Sequence, residues 1–594
     1  MSCAHNEHDE HDEDCATEIE TFYADYVVVG AGTAGAPIIR RLADAGFSVH
    51  AIEGGADLRR DPAVLQTEGE VTGIPAYQYD ANIAPIAPGP AALVPYAEGR
   101  LWGGSSGHNF FLGVRGTPAI WDKIARSAGS SRYAYRNVLP LMIGLETYTP
   151  LATGFFDPSE RGNQGPLFLT QLEPALSPGD PLVAASAIAL DAPYSADYND
   201  PNLGTTNVGD AQAFVNPTTR ERSWSASAFL PEDVVARTDD GNGVGLGGRC
   251  IFIASRSLAD RILFEDDLPA EVVNRSTGTS AHRRQVDERH GRRESARLTA
   301  RGVLYTRPDG TIARAIAGKR VILAAGAIGD PALLIRSGIG PCETLERLGF
   351  EPRLVNENVG KNLQNHVGAL IILATPGGVD LEASPVIHFE TEPDGVRKFQ
   401  LLSGGVIAPG LALYVASFLQ PGRTGVVEPK GDTEADGVRI DFNFYQDPQD
   451  REDVVRLLKR IGDLSIEYTR TDSSPGTLPI LPDPSIYPAA EYAAYGGQAP
   501  DDSALFEYAT SSGNGVVFNH AAGTARMARS ARDGVVDADM NVFGIANLSV
   551  SSNSVAPEIN DGNTAYPAYI YGLLKAGIEL GDLPVPDGEE CGCS

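Results

Sequence analysis

The run Ala24–Val29 followed by Gly30-Ala31-Gly32-Thr33-Ala34-Gly35 limits the possible folds of this chain more than any other feature. A short β-branched segment leads into glycines spaced G-x-G-x-x-G. Then come Ala36–Gly46, apolar at helical spacing, and a second short strand, Ser48–Ile52, ending at Glu53. Strand, tight turn, helix and strand make a βαβ unit and imply a parallel sheet. The glycines allow a tight turn, close approach of backbone to a pyrophosphate and close helix packing, while the helix N-terminus offers free N–H groups to phosphates. Glu53, 23 positions after the first glycine, is placed to accept from the ribose hydroxyls of an adenosine. The candidate nucleotide-binding residues are therefore Gly30, Gly32, Thr33, Ala34, Gly35 and Glu53. The hexad alone leaves FAD and NAD both open.

The rest of the chain has the composition of a folded protein, with 594 residues, 42% hydrophobic and 21% charged. No run of about 18 apolar residues is present, so no membrane-spanning helix is expected. The net charge of −31 argues against a nucleic-acid surface, which needs clustered Lys and Arg. Residues 1–20 hold eight acidic residues, three histidines and no basic residue, which is not a signal-peptide pattern. This reads as an acidic disordered tail, with a Cys/His metal-binding tract as the alternative. Four of six cysteines, Cys3, Cys15, Cys591 and Cys593, lie at the ends, and only Cys250 and Cys342 fall in the body. That is no disulfide framework, so an intracellular location is expected.

Between these ends, residues 57–98 read as an extended loop and 150–220 as a Pro/Asp/Asn-rich stretch with few strong helices. Residues 281–297 carry six Arg, as an anionic-partner patch or a solvated loop between strands. Gly302–Thr306 and Arg320–Ala325 read as strands. From 366 to 514 alternating runs such as Val438–Tyr445 suggest an antiparallel sheet.

A second glycine-dense run, Arg100-Leu-Trp102-Gly103-Gly104-Ser105-Ser106-Gly107-His108-Asn109, lets backbone lie flush against a flat ligand while Ser and Asn supply hydrogen bonds. It resembles the first signature of the glucose–methanol–choline (GMC) oxidoreductases. Gly326–Gly340 resembles the second signature, with Asp330 where Ser or Thr is usual. Val359–His366 resembles V-G-x-N-L-Q-D-H, with Asn365 in place of Asp. His520–Met527 resembles H-P-x-G-T-x-R-M, with Ala521 in place of Pro. Val536–Val555 resembles the segment before the last helix, with Ser549 for Arg and Ser552 for Asp; both changes imply charge lost beside the cofactor. The resemblance runs from about residue 22 to 580.

It implies an α/β fold: a Rossmann-like FAD-binding domain with a parallel sheet, joined to an antiparallel-sheet substrate domain. The expected boundaries are a tail at 1–21, the FAD domain over 22–150, 205–365 and 515–582, the substrate domain over 151–204 and 366–514, and a Cys-bearing tail at 583–594. FAD contacts are implied for Arg100, Trp102, Gly103, Gly104, His108, Asn109, Phe110, Leu258, Ala325, Asn553 and Thr564. Ile251–Phe264 is read as one strand whose backbone near Leu258 meets the adenine. In some members a histidine at the place of His108 bonds covalently to the flavin 8α-methyl, so such a link is a candidate here.

The implied reaction is oxidation of a small-molecule alcohol to a carbonyl, with O₂ or another electron acceptor. His520, with an ordinary pKa near ~6.5, takes the hydroxyl proton, and Asn563 orients the alcohol oxygen. Neither a metal nor a membrane partner is expected. Large DNA viruses of amoebae encode family members, some of them virion components. The alternative reading is thus an assembly protein on this scaffold, tail cysteines cross-linking subunits into an oligomer, located in a virion rather than the cytoplasm.

Overall fold

Four consecutive buried residues, Tyr26–Val29, end the strand β1 (Glu20–Val29), as expected of a parallel strand covered on both faces. β1 pairs in parallel with β2 (Val49–Ile52), Tyr26 opposite Val49. β3 (Ile251–Ala254) adds in parallel to β2. On its other side β1 pairs in parallel with β4 (Ile312–Leu323), and β5 (Leu548–Val550) adds in parallel to the end of β4. Antiparallel strands flank this parallel centre on both sides: Leu258–Phe264 and Leu298–Thr306 on one, Gly243–Gly245 and Val235–Arg237 on the other. The computed structural model describes residues 19–67, 82–83, 96–151, 156–172, 181–201, 206–277, 298–374, 386–408, 411–471, 478–480, 502–510 and 515–583.

Helix α1 (Gly35–Asp44) buries Ile38, Ile39 and Leu42 beneath the sheet. It packs against α3 (Ala565–Leu580), which is buried nearly all round and so serves as a core helix. Helix α2 (Gly326–Arg336) follows β4 and is likewise almost wholly buried. α1 follows a glycine-bearing turn, α3 an Asn-bearing one, and α2 the pair Ala324-Ala325 at the end of β4.

A second sheet is antiparallel throughout: Leu478–Ile480, Val367–Ala374, Leu411–Phe418, Arg397–Ala408, Val386–Thr391 and Asn207–Asp210, in that order. Its own core gathers Phe399, Phe418, Phe442, Leu457, Leu458, Ile461 and Tyr508 beside the helix Pro448–Thr471.

Four sequence readings change. Ile251–Phe264 is two strands, because Arg256 turns the chain with φ +51°. The strand read over Val438–Tyr445 ends at Asp441; Asn443 and Tyr445 take positive φ, turning Phe442, Phe444 and Tyr445 into the second core. Asn207–Asp210, assigned by sequence to the nucleotide-binding part, hydrogen-bonds along the antiparallel sheet. β1 starts at Glu20, inside the expected tail. The Arg-rich run 281–297, most of 57–98, and Cys3, Cys15, Cys591 and Cys593 lie outside the described residues. Cys250 and Cys342 are free thiols. Among the described residues no cluster of His, Cys, Asp or Glu is arranged to hold a metal, and no helix is long and apolar enough to cross a membrane.

Candidate active site

The hexad forms the turn between β1 and α1. Gly30 has φ +96°, and a Cβ there would stand 2.5 Å from the Ala324 carbonyl oxygen, so β1 and β4 meet closely only because this residue is glycine. α1 begins at Ala34 without a side-chain cap, leaving its positive end to a ligand. Thr33 Oγ1 donates to the Gly103 carbonyl and accepts from Ser106 N–H, tying the first glycine run to the second. A Cβ on Gly104 would stand 2.9 Å from Gly32 Cα, so the two runs meet backbone to backbone.

Glu53 is buried at the end of β2. Its carboxylate accepts from Ala31 N–H (2.9 Å) and Gly55 N–H (2.8 Å). Burial pushes its pKa up to about 7, against the pull of these two N–H groups and Arg100. Each oxygen keeps a lone pair for a ribose hydroxyl. Arg100 donates to the Gly54 carbonyl and pairs with Glu434 at 3.2 Å, and Leu258 lies against Gly54.

The residues of the second run divide. Trp102 is fully enclosed, with its Nε1 donating to Ser255 Oγ, so it packs the turn onto the sheet. Asn109 Oδ1 accepts from Phe111 N–H and from buried Arg222. Arg222 lies over the Phe111 ring and contacts no carboxylate among the described residues. Burial, reinforced by Arg222, pushes His108 down to about 4, so its imidazole is neutral. His108 Nε2 is a buried atom with no hydrogen-bond partner among the described residues. Phe110 is 63% exposed.

At both positions where the sequence implies lost charge, a charged side chain from a distant position makes contact: Asp330 at Ser552 and Arg320 at Ser549. Ser552 Oγ and Ser554 Oγ both donate to Asp330 Oδ2 (2.7 Å each), and Ala325 N–H donates to Asp330 Oδ1. The carboxylate missing at 552 is supplied from 330. Arg320 donates to Ser549 Oγ at 3.0 Å, so a guanidinium again serves this position. Asn553 Nδ2 donates to the Thr564 carbonyl, and its Oδ1 is buried without a partner.

His520 stands where the two sheets meet. Thr524, four residues on, donates to the Ala327 carbonyl at the start of α2, and Gly523 N–H donates to the Asn553 carbonyl. His520 Nδ1 lies 2.8 Å from His366 Nδ1, and Asn563 Nδ2 lies 3.3 Å from His520 Nε2. Gln400, on the antiparallel sheet, donates to Asn563 Oδ1 at 3.2 Å. Phe518 stacks on the His520 ring, 5.5 Å between centroids and 17° between planes. Burial pushes His520 down to about 4. The cluster is an imidazole base and an amide held in register, the equipment for removing a hydroxyl proton. Gln400 has no sequence signal, since its strand alternates in a way that does not tell which face meets the site.

Two family models described as GMC oxidoreductase match the chain, one over residues 251–368 and one over 421–572. The chain belongs to the GMC oxidoreductase family. Choline oxidase of Arthrobacter globiformis is 26% identical over 572 residues, 90% of each protein. The dehydrogenase eriK of Hericium erinaceus is 27% identical over 366 residues, 59% of this chain. The matched stretch spans about half the length of that relative, 53%. The crystal structure of pyridoxine 4-oxidase from Mesorbium loti superimposes with a TM-score of 0.71 at 21% identity, covering 93% of this chain and 98% of that one. It shows the shared α/β fold.

GMC oxidoreductases bind FAD, and this one fits it. The backbone-to-backbone contact of Gly32 and Gly104, the carboxylate of Glu53, and the buried unpartnered His108 Nε2 and Asn553 Oδ1 supply a groove floor, a ribose acceptor and spare polar atoms.

Proposed function

We propose that this GMC oxidoreductase oxidises an alcohol to a carbonyl, with O₂ or another electron acceptor. The observation that carries the reading is the His520–Asn563 pair, base beside amide at 3.3 Å, with Gln400 fixing the amide. FAD, when bound, supplies the hydride acceptor. His520 Nε2 takes the hydroxyl proton. Asn563 donates to the alcohol oxygen and so directs the carbinol hydrogen. The residues proposed to hold FAD are Gly30, Gly32, Thr33, Ala34, Gly35, Glu53, Arg100, Gly103, Gly104, His108, Asn109, Leu258, Ala325, Asn553 and Thr564. The oxidases among its relatives support oxidation of a small molecule. The test is an anaerobic titration of the yellow protein with a panel of alcohols. We expect at least one alcohol to bleach the ~450 nm band of bound flavin. A purified protein with no flavin absorbance ends the reading.

His108 is also proposed as the covalent tether of that flavin. Its Nε2 is neutral, buried and unspent. Bonding Nε2 to the 8α-carbon of a bound flavin would release one proton from each partner and pass two electrons to the flavin, and the electron acceptor of turnover would take those electrons. After precipitation with trichloroacetic acid the yellow colour is expected in the pellet, and in the supernatant for His108→Ala. Wild-type colour staying wholly in the supernatant rules the tether out.

A further inference from the structure

The hydrogen bonds around His520 are satisfied by only one tautomer. His366 Nε2 lies 3.0 Å from the carbonyl oxygen of Asn560, and a carbonyl only accepts, so Nε2 carries the hydrogen. His366 is fully buried, and burial with His520 beside it holds its pKa well below the usual range, so the ring is neutral and its Nδ1 is bare. That bare Nδ1 faces His520 Nδ1 at 2.8 Å, so His520 Nδ1 is the donor. His520 is neutral as well, which leaves its Nε2 as a lone pair. Asn563 Nδ2 lies 3.3 Å from that lone pair, a donor facing an acceptor, while Gln400 Nε2 donates to Asn563 Oδ1. In the opposite tautomer of His366, an imidazole lone pair would face the Asn560 carbonyl oxygen, two acceptors in contact with no hydrogen between them.

The backbone fixes the same arrangement. Asn365 Oδ1 accepts from both His366 N–H (2.9 Å) and His520 N–H (3.0 Å), and Asn365 Nδ2 donates to the Phe518 carbonyl at 2.6 Å. One amide thus holds the backbone of both histidines and of the segment bearing the ring that stacks on His520. An aspartate at 365 would have no N–H for Phe518.

We infer that His366 is a positioning residue: through its bare Nδ1 it selects the His520 tautomer in which Nε2 is the basic atom facing substrate. This rests on the proposed role of His520. When the substrate O–H bond breaks, its proton forms the Nε2–H bond. The Nδ1 hydrogen of His520 stays in place, donated to His366, and no proton passes to His366. The Asn560 carbonyl plays the part of the orienting acceptor behind a catalytic histidine, with a second imidazole interposed.

The test uses the flavin-loaded protein labelled with ¹⁵N-histidine. The ¹⁵N shifts are expected to show His520 protonated at Nδ1 and bare at Nε2, and His366 the reverse. His366→Phe removes the acceptor and is expected to slow substrate-driven flavin reduction by about 10²-fold. His366→Asn offers an amide oxygen in place of Nδ1 and is expected to regain most of that loss. A wild-type His520 protonated at Nε2, or equal losses in both variants, overturns the inference. Either outcome leaves the base itself untouched, since that depends on His520→Ala alone.

Discussion

In the His520→Ala variant, the anaerobic rate at which substrate reduces the bound flavin falls ~10²–10⁴-fold, the usual worth of a positioned general base. Flavin content stays at the wild-type level, because the His520 side chain contacts Asn563, His366 and Phe518 rather than the glycine turns. The acid limb of the pH profile carries a second expectation. An ordinary histidine titrates near ~6.5. Burial pushes His520 down to about 4, so its neutral form, the active one, dominates from about pH 5 upward. Activity therefore holds as pH falls through 6.5 and is lost only near pH 4. The direction follows from desolvation, which disfavours the charged imidazolium. The kcat/KM profile checks this: a limb near ~6.5 that disappears in His520→Ala would show His520 titrating as a solvated histidine, and an unchanged rate in His520→Ala would remove it from the chemistry.

The parts of this site legible in the sequence are those whose chemistry is local. Gly30 to Gly35 and Glu53 declare themselves because turn, helix start and acidic residue lie within one βαβ unit. His520 and Asn563 are legible as motif positions. What the sequence hides is partnership across the fold. Gln400 reaches Asn563, in the turn before α3, from the antiparallel sheet, 163 positions away. The tautomer of His520 is decided by the carbonyl of Asn560 acting through His366. Trp102 looked like a ligand contact because it stands in the signature, yet its ring is spent on packing and Ser255. Alternation over Val438–Tyr445 mixed two causes, a strand to Asp441 and then residues with positive φ that turn aromatic side chains into a core. A pattern of period two cannot separate these, since both place apolar residues at every second position.

Asp330 and Ser552 show the same limit most sharply and give the second large effect. Read singly, each is a departure from the family pattern, and Ser552 looks like a lost charge. In the fold they touch, 222 positions apart, and Asp330 brings a carboxylate to the Ser552 hydroxyl. Asp330 is fully buried and accepts from three donors, Ala325 N–H, Ser552 Oγ and Ser554 Oγ. Burial pushes it up to about 6 while those donors pull it down, so it is ionised at neutral pH. Asp330→Ala strands Ala325 N–H and at least one of the two serine hydroxyls, which lie 2.8 Å apart and can serve one another. At about 1–3 kcal/mol for each buried group, a total loss of about 2–5 kcal/mol is expected. Ala325 starts α2, so FAD retention falls with it. Ser552→Asp alone sets two carboxylates against each other and is also destabilising. The exchange Asp330→Ser with Ser552→Asp restores one carboxylate and one hydroxyl, and is expected to recover most of the stability, a coupling of about 2 kcal/mol. Thermal midpoints and flavin content of the parent protein, Asp330→Ser, Ser552→Asp and the double variant measure it. If the double variant shows the simple sum of the two single losses, the carboxylate is not exchangeable across this contact, and the geometry of the three donors around position 330, rather than the charge alone, holds this part of the fold.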